Sequence, residues 1–282
     1  MQLILDAFDP AFMQRSLVGG LLAVVATSLV GTWVVLRGLA FLGDALAHGV
    51  IPGIALAVLW GFSPILGALV AAAVMGGLVS LVTARTQIRE DTGIGLLFVG
   101  MLSLGIVIVS KARSFTTEVT ALLFGDILGV SRNDINNQLI GAGVVVVATV
   151  VLYRPFLALT FNRMKARSLG MHPGVAHTAM MILLAVSIVT SFQAVGTLLV
   201  FGLIVGPPAT ASLLTRLVPL MMFVSMLFGA FAVVIGLTIS FHAGTAGGAT
   251  MAGMSVAQFF VVLAIVEVVK LVKQYRHARL AV

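Results

Sequence analysis

Long apolar runs, separated by short polar or basic stretches, dominate the pattern along the chain. A transmembrane helix needs about 20 mostly apolar residues, and nine segments of the 282-residue sequence meet this length. Each is predicted to be helical, because a backbone group without a hydrogen bond is costly in hydrocarbon. The sequence therefore predicts an all-α, polytopic transmembrane bundle that forms a single domain over residues 1–282. The predicted spans are about 12–36, 39–60, 64–84, 93–111, 138–156, 173–191, 194–215, 217–240 and 252–272.

Two regions fit this pattern less well. The tract 114–137 is not a clean span, and its segment 124–131 is interpreted as a re-entrant or interfacial piece. The pair Pro207-Pro208 is predicted to break or kink the seventh span, because proline cannot donate a helical hydrogen bond. If two spans merge or one is re-entrant, the chain has eight spans, which is the alternative count.

Composition supports a membrane protein and excludes other classes. Hydrophobic residues make up 60% of the chain and charged residues 9%, with a mean hydropathy of +1.19. A soluble domain carries about 25% charged residues, so this chain lacks the polar surface to cover itself in water. Disorder, a coiled coil and nucleic-acid binding are excluded, and the expected surroundings are membrane lipid. The sequence has no cysteine, so it has no disulfide and no thiolate metal site.

The distribution of basic residues predicts the orientation. Lys and Arg accumulate in cytoplasmic loops, and nine spans place 12 of them on the side of the C-terminus and 4 on the other side. The N-terminus is therefore predicted to lie outside and the C-terminus in the cytoplasm. The larger group contains Arg37, Arg85, Arg89, Arg154, Arg163, Lys165, Arg167, Arg216, Lys270, Lys273, Arg276 and Arg279, and the smaller group Arg15, Lys111, Arg113 and Arg132.

Small residues let transmembrane helices approach closely, and the chain has 30 glycines. The glycines at Gly19-Gly20, Gly76-Gly77, Gly141 and Gly143 are predicted to be packing positions.

Asp44 and His48 are ionisable residues well inside the second predicted span. Their i, i+4 spacing places both side chains on one helical face, and ionisable residues in spans mark functional sites. A carboxylate with an imidazole suits a first-row divalent cation, zinc especially. Pro52 would free a carbonyl near His48 as a further oxygen ligand. The alternative is a structural role in which the two side chains hydrogen-bond to each other and to neighbouring backbone groups.

The other ionisable residues near the spans are less distinctive. His242 follows the eighth span, in a stretch too rich in glycine and threonine to continue a helix easily. It is interpreted either as a third metal ligand or as an ordinary interfacial histidine. His172 and His177 flank a basic stretch and are expected to be solvated or capping residues. Glu267 is expected to pack between helices or to pair with a lysine.

One basic stretch has the features of a short cytoplasmic helix. Asn162 is predicted to cap it and Gly170 to end it, while Arg163, Lys165 and Arg167 keep it out of the lipid. It suits a docking element for a cytoplasmic partner, and the alternative is an ordinary basic loop.

Missing motifs argue against an enzyme. The sequence contains no G-x-x-x-x-G-K-[ST] phosphate loop and no H-E-x-x-H metalloprotease motif. Only one aspartate is deeply embedded, whereas an aspartyl intramembrane protease needs two facing carboxylates.

Two segments resemble the permease subunits of bacterial zinc and manganese ABC importers. They are VLRGLAFLGDALAHGVIPGIA at 35–55 and SFQAVGTLLVFGLIVGPPATA at 191–211. The sequence FGDILG at 124–129 and the stretch 162–170 also fit, so the similarity covers nearly the whole chain.

This resemblance implies a homodimeric permease in the bacterial cytoplasmic (inner) membrane, without enzymatic activity of its own. It implies two separate cytoplasmic ATP-binding subunits that hydrolyse ATP, and an extracytoplasmic solute-binding protein that delivers the metal. In the family, the residues matching Asp44 and His48 form the metal site, and the coupling helix corresponds to about 160–171. The metal, Zn²⁺ or Mn²⁺, is then a transported substrate, and no permanently bound cofactor is expected.

The sequence departs from the family pattern at one place. The family has an aspartate shortly after a Ser-Tyr pair near the eighth span. Alignment on Ser240-Phe241 puts Gly244 at that position. His242 is expected to compensate for the missing acid, and the exchange of oxygen for nitrogen shifts the preference toward zinc.

The predicted function is therefore the membrane permease of an ATP-driven zinc importer. The first alternative is a manganese or iron importer permease of the same family. A permease for chelates such as haem would need a wide cavity rather than an acid–imidazole pair. An ATP-independent secondary transporter normally has more than one buried acid.

Overall fold

The computed structural model describes residues 6–86, 89–111, 129–161 and 173–280, which are about 90% helical and contain no strand. Eight helices in this part of the chain are long and apolar enough to cross a membrane, and a shorter apolar helix accompanies them. The prediction of a polytopic helical bundle is confirmed. The helices are α1 (Ala11–Leu36), α2 (Ala40–Gly49), α3 (Ile51–Trp60), α4 (Pro64–Arg85), α5 (Glu90–Lys111), α6 (Arg132–Val151), α7 (Tyr153–Phe161), α8 (Pro173–Val195), α9 (Thr197–Leu214), α10 (Val218–Ala243) and α11 (Gly247–Leu280).

Helix α1 forms the centre of the bundle. Every residue from Ala26 to Val34 is buried, and this stretch covers more than two helical turns, so all sides of the helix are packed. Its neighbours are α2 and α6 to α10. The buried hydroxyls of Thr27 and Thr32 donate to carbonyls of the same helix, each at a distance of 2.7 Å. The hydroxyls of these two threonines are therefore satisfied without a partner from another helix.

Helices α5 and α11 form the periphery. Only 17% of the spanning window of α5 and 11% of that of α11 is buried. Their exposed side chains include Leu96, Val107, Phe260 and Val261. Because the exposed residues are apolar, these faces are suited to contact lipid.

The contacts between helices show in which direction each helix runs relative to its neighbours. Gly20 of α1 faces Val233 of α10, and Val24 faces Gly229, so α1 and α10 are antiparallel. Helix α11 follows α10 after residues 244–246 and packs back along it. It therefore runs parallel to α1. The C-terminal end of α11 and the start of α1 lie at opposite ends of the bundle.

The short helix α9 also traverses the bundle. Gly202 packs on Ala252, and Gly206 packs on Ser255, so α9 and α11 run parallel. Pro207 and Pro208 lie inside α9, and the helix continues through them to Leu214. The predicted break is therefore not observed.

The two prolines allow a close approach between α9 and α1. Pro208 has no N–H for the carbonyl of Ile204, four residues earlier. Gly31 lies directly against this carbonyl oxygen, and a Cβ at position 31 would collide with it. The central helix therefore packs on α9 backbone to backbone.

The fifth predicted span, 138–156, has different boundaries in the structure. Helix α6 begins six residues earlier because Ser131 and Asp134 form a capping box: Ser131 N–H donates to Asp134 Oδ2 (3.0 Å), and Asp134 N–H donates to Ser131 Oγ (3.2 Å). The helix ends at Val151 with Leu152 as its C-cap, and α7 follows. Pro155 accounts for the break, since it cannot donate to the carbonyl of Val151.

The predicted packing glycines divide into two groups. A Cβ at Gly20 would lie 2.7 Å from Val233 and one at Gly76 would lie 3.2 Å from Met181, while Gly141 packs tightly on Thr190. A Cβ at Gly77 or Gly143 would meet no atom within 4 Å. The prediction is confirmed for the first three glycines and wrong for the last two.

Candidate metal-binding site

The second span is a broken helix, and the break follows the candidate ligands directly. Helix α2 ends at Gly49 and α3 begins at Ile51. Pro52 occupies the first turn of α3 and has no N–H for the carbonyl of His48. That carbonyl accepts instead from a backbone N–H at the junction of the two helices. Discontinuous helices commonly build substrate sites in transporters.

Asp44 and His48 lie on the same face of α2, as predicted. The distance between Asp44 Oδ1 and His48 Nε2 is 3.5 Å. A charge-assisted hydrogen bond is about 2.7–2.9 Å long, so the two side chains are not locked onto each other. Both the carboxylate oxygens and the imidazole nitrogen remain available to a cation.

This face of α2 is only partly covered by the rest of the chain. The side chain of His48 is 27% exposed and that of Asp44 is 30% exposed. The opposite face is fully packed, with Leu42, Ala45 and Leu46 at 0% exposure. The acid–imidazole pair is thus partly accessible from outside this single chain.

Aromatic residues and tight helix packing hold the pair in place. The rings of His48 and Phe98 are 6.0 Å apart edge to face, and Phe98 also contacts Phe41 at 5.7 Å. Behind the pair, Gly49 packs against the sulfur of Met75 on α4. The backbone carrying His48 is therefore braced by α4 and its ring by α5.

His242 lies at the end of α10, away from this pair. Its Nδ1 is 2.9 Å from the carbonyl oxygen of Thr238, so Nδ1–H donates to that carbonyl. Among the described residues, no three His, Asp or Glu side chains lie close enough to hold one metal ion. His242 therefore does not join Asp44 and His48 within this chain, and its role as a ligand stays a prediction.

Gly244, the position at which the sequence comparison expects an aspartate, ends α10. It adopts the left-handed conformation, with φ +64° and ψ +30°, and the N–H of the next residue, Thr245, donates to the carbonyl of Ser240 over 3.3 Å. Glycine is the favoured residue for such a helix end. The positive φ therefore accounts for a glycine at the end of α10.

The predicted ATPase-coupling residues Asn162, Arg163, Lys165, Arg167 and Gly170 lie outside the described residues. Their function remains a prediction, as does the interpretation of most of 114–137.

The structure shows one pair that the sequence reasoning missed. His177 is only 4% exposed, and its Nδ1 lies 3.1 Å from Nη1 of Arg37. The expectation that His177 is solvated or a cap is therefore wrong. The partner stands 140 positions away, so no local pattern could indicate it. Glu267 pairs with Lys270 over 2.6 Å, as expected.

The chain matches known proteins along nearly its whole length. Residues 9–266 match the model of the ABC 3 transport family. The chain is 33% identical over 242 residues to the manganese transport system membrane protein MntC of Halalkalibacterium halodurans, covering 86% of this chain and 82% of that protein. It is 32% identical over 278 residues to the chelated iron transport system membrane protein YfeD of Yersinia pestis, covering 99% and 93%.

A solved structure has the same fold. PsaBC from Streptococcus pneumoniae, in complex with Fab, aligns with a TM-score of 0.82 at 29% identity, over 93% of this chain and 94% of that one. The family match, the relatives and this structure lead to one conclusion. The chain belongs to the ABC 3 transport family and is a multi-pass permease, the transport component, of a metal-ion ABC importer.

Proposed function

We propose that this permease imports Zn²⁺, and that Asp44 and His48 bind the ion as it crosses. The observation that carries the proposal is the partly exposed acid–imidazole pair beside a break in its helix. Zinc favours mixed nitrogen and oxygen ligands. The absence of an acid at Gly244 lowers the share of oxygen ligands. The alternative, manganese or iron, is favoured by what the names of MntC and YfeD say of those proteins.

A homodimer would complete the site. A carboxylate on a lipid-facing surface is costly, and ionisable residues in spans normally face a protein interior or a water-filled cavity. A second copy packed on the open face of α2 would bring its own Asp44 and His48 to the same place. Two ligands from each chain give the four that zinc prefers. At stages of transport in which fewer than four ligands hold the ion, the ion is bound more weakly and can be released.

The partners follow from the proposed orientation, with the N-terminus outside and the C-terminus in the cytoplasm. The ATP-binding subunits dock at 162–170, and the metal-binding protein docks at the outer end, where α10 finishes. His242 then lies on the entry side, where its Nδ1–H donates to the carbonyl of Thr238 and its Nε2 is the ring atom that would bind an incoming ion. A cytoplasmic reporter fused after Val282 should be active, whereas activity of a strictly periplasmic reporter there would contradict this orientation.

Reconstitution in proteoliposomes tests the function. The permease, its ATP-binding subunits and the metal-binding protein are combined, and uptake of Zn²⁺, Mn²⁺ and Fe²⁺ is measured with and without ATP. We expect ATP-dependent uptake that is fastest for Zn²⁺. Faster Mn²⁺ or Fe²⁺ uptake would establish the alternative metal, and uptake by the permease alone would exclude the importer mechanism.

Charge reversal tests the proposed docking segment in the same system. The triple variant Arg163→Glu, Lys165→Glu and Arg167→Glu should uncouple ATP hydrolysis from uptake. Complementary charges at an interface determine which partner docks and in which orientation. Unchanged coupling in this triple variant would contradict docking at 162–170.

A further inference from the structure

The contact between Arg37 and His177 joins two regions of the bundle that are far apart in sequence. Arg37 directly follows α1, and Gly38, with φ +68°, turns the chain toward α2. His177 lies near the start of α8. Nη1 of Arg37 is 3.1 Å from His177 Nδ1 and 3.6 Å from the sulfur of Met180. The end of the central helix is thus held against the beginning of α8.

The chemistry of this contact determines the state of His177. A guanidinium group only donates hydrogen bonds. Nδ1 of His177 must therefore accept, which makes the ring neutral with its proton on Nε2. The adjacent positive charge disfavours any cation at this imidazole. Because His177 is only 4% exposed, the pair is suited to hold helices together rather than to bind the transported ion.

The position of the pair connects the proposed ATPase-docking segment with the metal site. Residues 162–172 directly precede α8 in the sequence, and Arg37 stands seven residues before Asp44. Helix α8 packs against α1, α2 and α4. A displacement at the start of α8 would thus reach the turn between α1 and α2 through the bond to Arg37.

We infer that Arg37 and His177 are a positioning pair that transmits movement of the start of α8 to α2, and so to Asp44 and His48. The inference rests on the proposed function, since it takes residues 162–170 as the place where the ATP-binding subunits dock. It assigns neither residue a contact with the metal. It predicts that loss of the bond lowers the number of ions moved per ATP, while ion binding is retained.

The test compares two substitutions of His177 in proteoliposomes that contain the whole importer. His177→Leu removes the acceptor, whereas His177→Asn keeps an oxygen acceptor close to the position of Nδ1. Met181→Leu is the matched control, because Met181 is also buried on α8 but packs on Gly76 of α4. Zn²⁺ uptake, ATP hydrolysis and equilibrium Zn²⁺ binding are measured for each variant.

We expect the ratio of Zn²⁺ transported to ATP hydrolysed to fall about 5-fold in His177→Leu, an effect typical of residues that couple two sites. The ratio should recover to within about 2-fold of wild type in His177→Asn and stay there in Met181→Leu, with Zn²⁺ binding unchanged throughout. If His177→Leu fails to fold, Arg37→Leu, which removes the donor, is compared with Arg37→Lys, which keeps one.

The positioning role would be refuted if folded His177→Leu kept the wild-type ratio of Zn²⁺ transported to ATP hydrolysed. It would also be refuted if His177→Asn lost as much of this ratio as His177→Leu. Neither result would contradict the proposed function. Absence of ATP-driven uptake by the wild-type importer would refute the proposed function itself. The two failures are therefore distinguishable.

Discussion

Two histidines of this permease have a charged neighbour, and the neighbours have opposite signs. His48 lies 3.5 Å from Asp44, one helical turn away on the same helix, and about a quarter of its side chain is exposed. His177 lies 3.1 Å from Arg37, which belongs to another part of the chain, and is buried. An accessible imidazole beside an acid attracts a cation, whereas a buried imidazole beside a guanidinium repels one. Burial and the sign of the neighbour, rather than residue type, separate the candidate ligand from the structural histidine.

Removal of the acid–imidazole pair is expected to have the largest effect. The double variant Asp44→Asn and His48→Ala should lower Zn²⁺ uptake by at least about 100-fold, since even residues that only support metal ligands cost about 10- to 100-fold in affinity. Radioactive zinc uptake in cells and the amount of permease in the membrane fraction are measured together. Asp91→Asn, at an exposed position on α5, is the control. Near-normal uptake by the double variant would show that the pair is structural.

A change of ligand type sharpens the comparison by testing the metal. His48→Asp replaces nitrogen with oxygen and should shift the ratio of Zn²⁺ to Mn²⁺ uptake about 10-fold toward Mn²⁺, because carboxylates suit manganese and imidazole suits zinc. Competition between the two ions in the same cells measures this ratio. His48→Asn, which adds no charge, is the control. An unaltered ratio in His48→Asp would mean that His48 does not select the metal.

His242 is expected to give the smallest effect. As a ligand on the entry side, it should raise the zinc concentration for half-maximal uptake about 3-fold in His242→Ala and leave the maximal rate unchanged, because only encounter with the ion is weakened. Initial uptake rates over a range of zinc concentrations measure both quantities. Loss of the maximal rate would instead place His242 in the central site.

Much of the fold could be predicted from apolar run length alone. Spans need about 20 apolar residues whatever their neighbours are, so all nine predicted segments correspond to helices. The sequence prediction starts α6 too late because the first turn of this helix contains Arg132, Asn133 and Asp134, which lower the mean hydropathy there. The capping box at Ser131 compensates for this polarity, and its signature depends on two specific residues rather than on an average.

The candidate site was predictable only where it is local. Asp44 and His48 are four residues apart on one helix, so helical periodicity alone places them together. The Arg37–His177 contact and the division of the glycines into packed and open positions depend on which helices become neighbours. A single sequence contains no direct signal for such pairings, and they became visible only with the tertiary structure.

The contact of Gly31 with the carbonyl of Ile204 also has an evolutionary consequence. Any side chain at position 31 would force α9 away from the central helix, whereas Gly77 and Gly143 can accept a methyl group without a collision. Related permeases should therefore drift freely at Gly77 and Gly143 while they retain glycine at position 31. Exchanges at Gly31 should appear only in lineages that have also changed Pro208, since these two residues together shape one helix crossing.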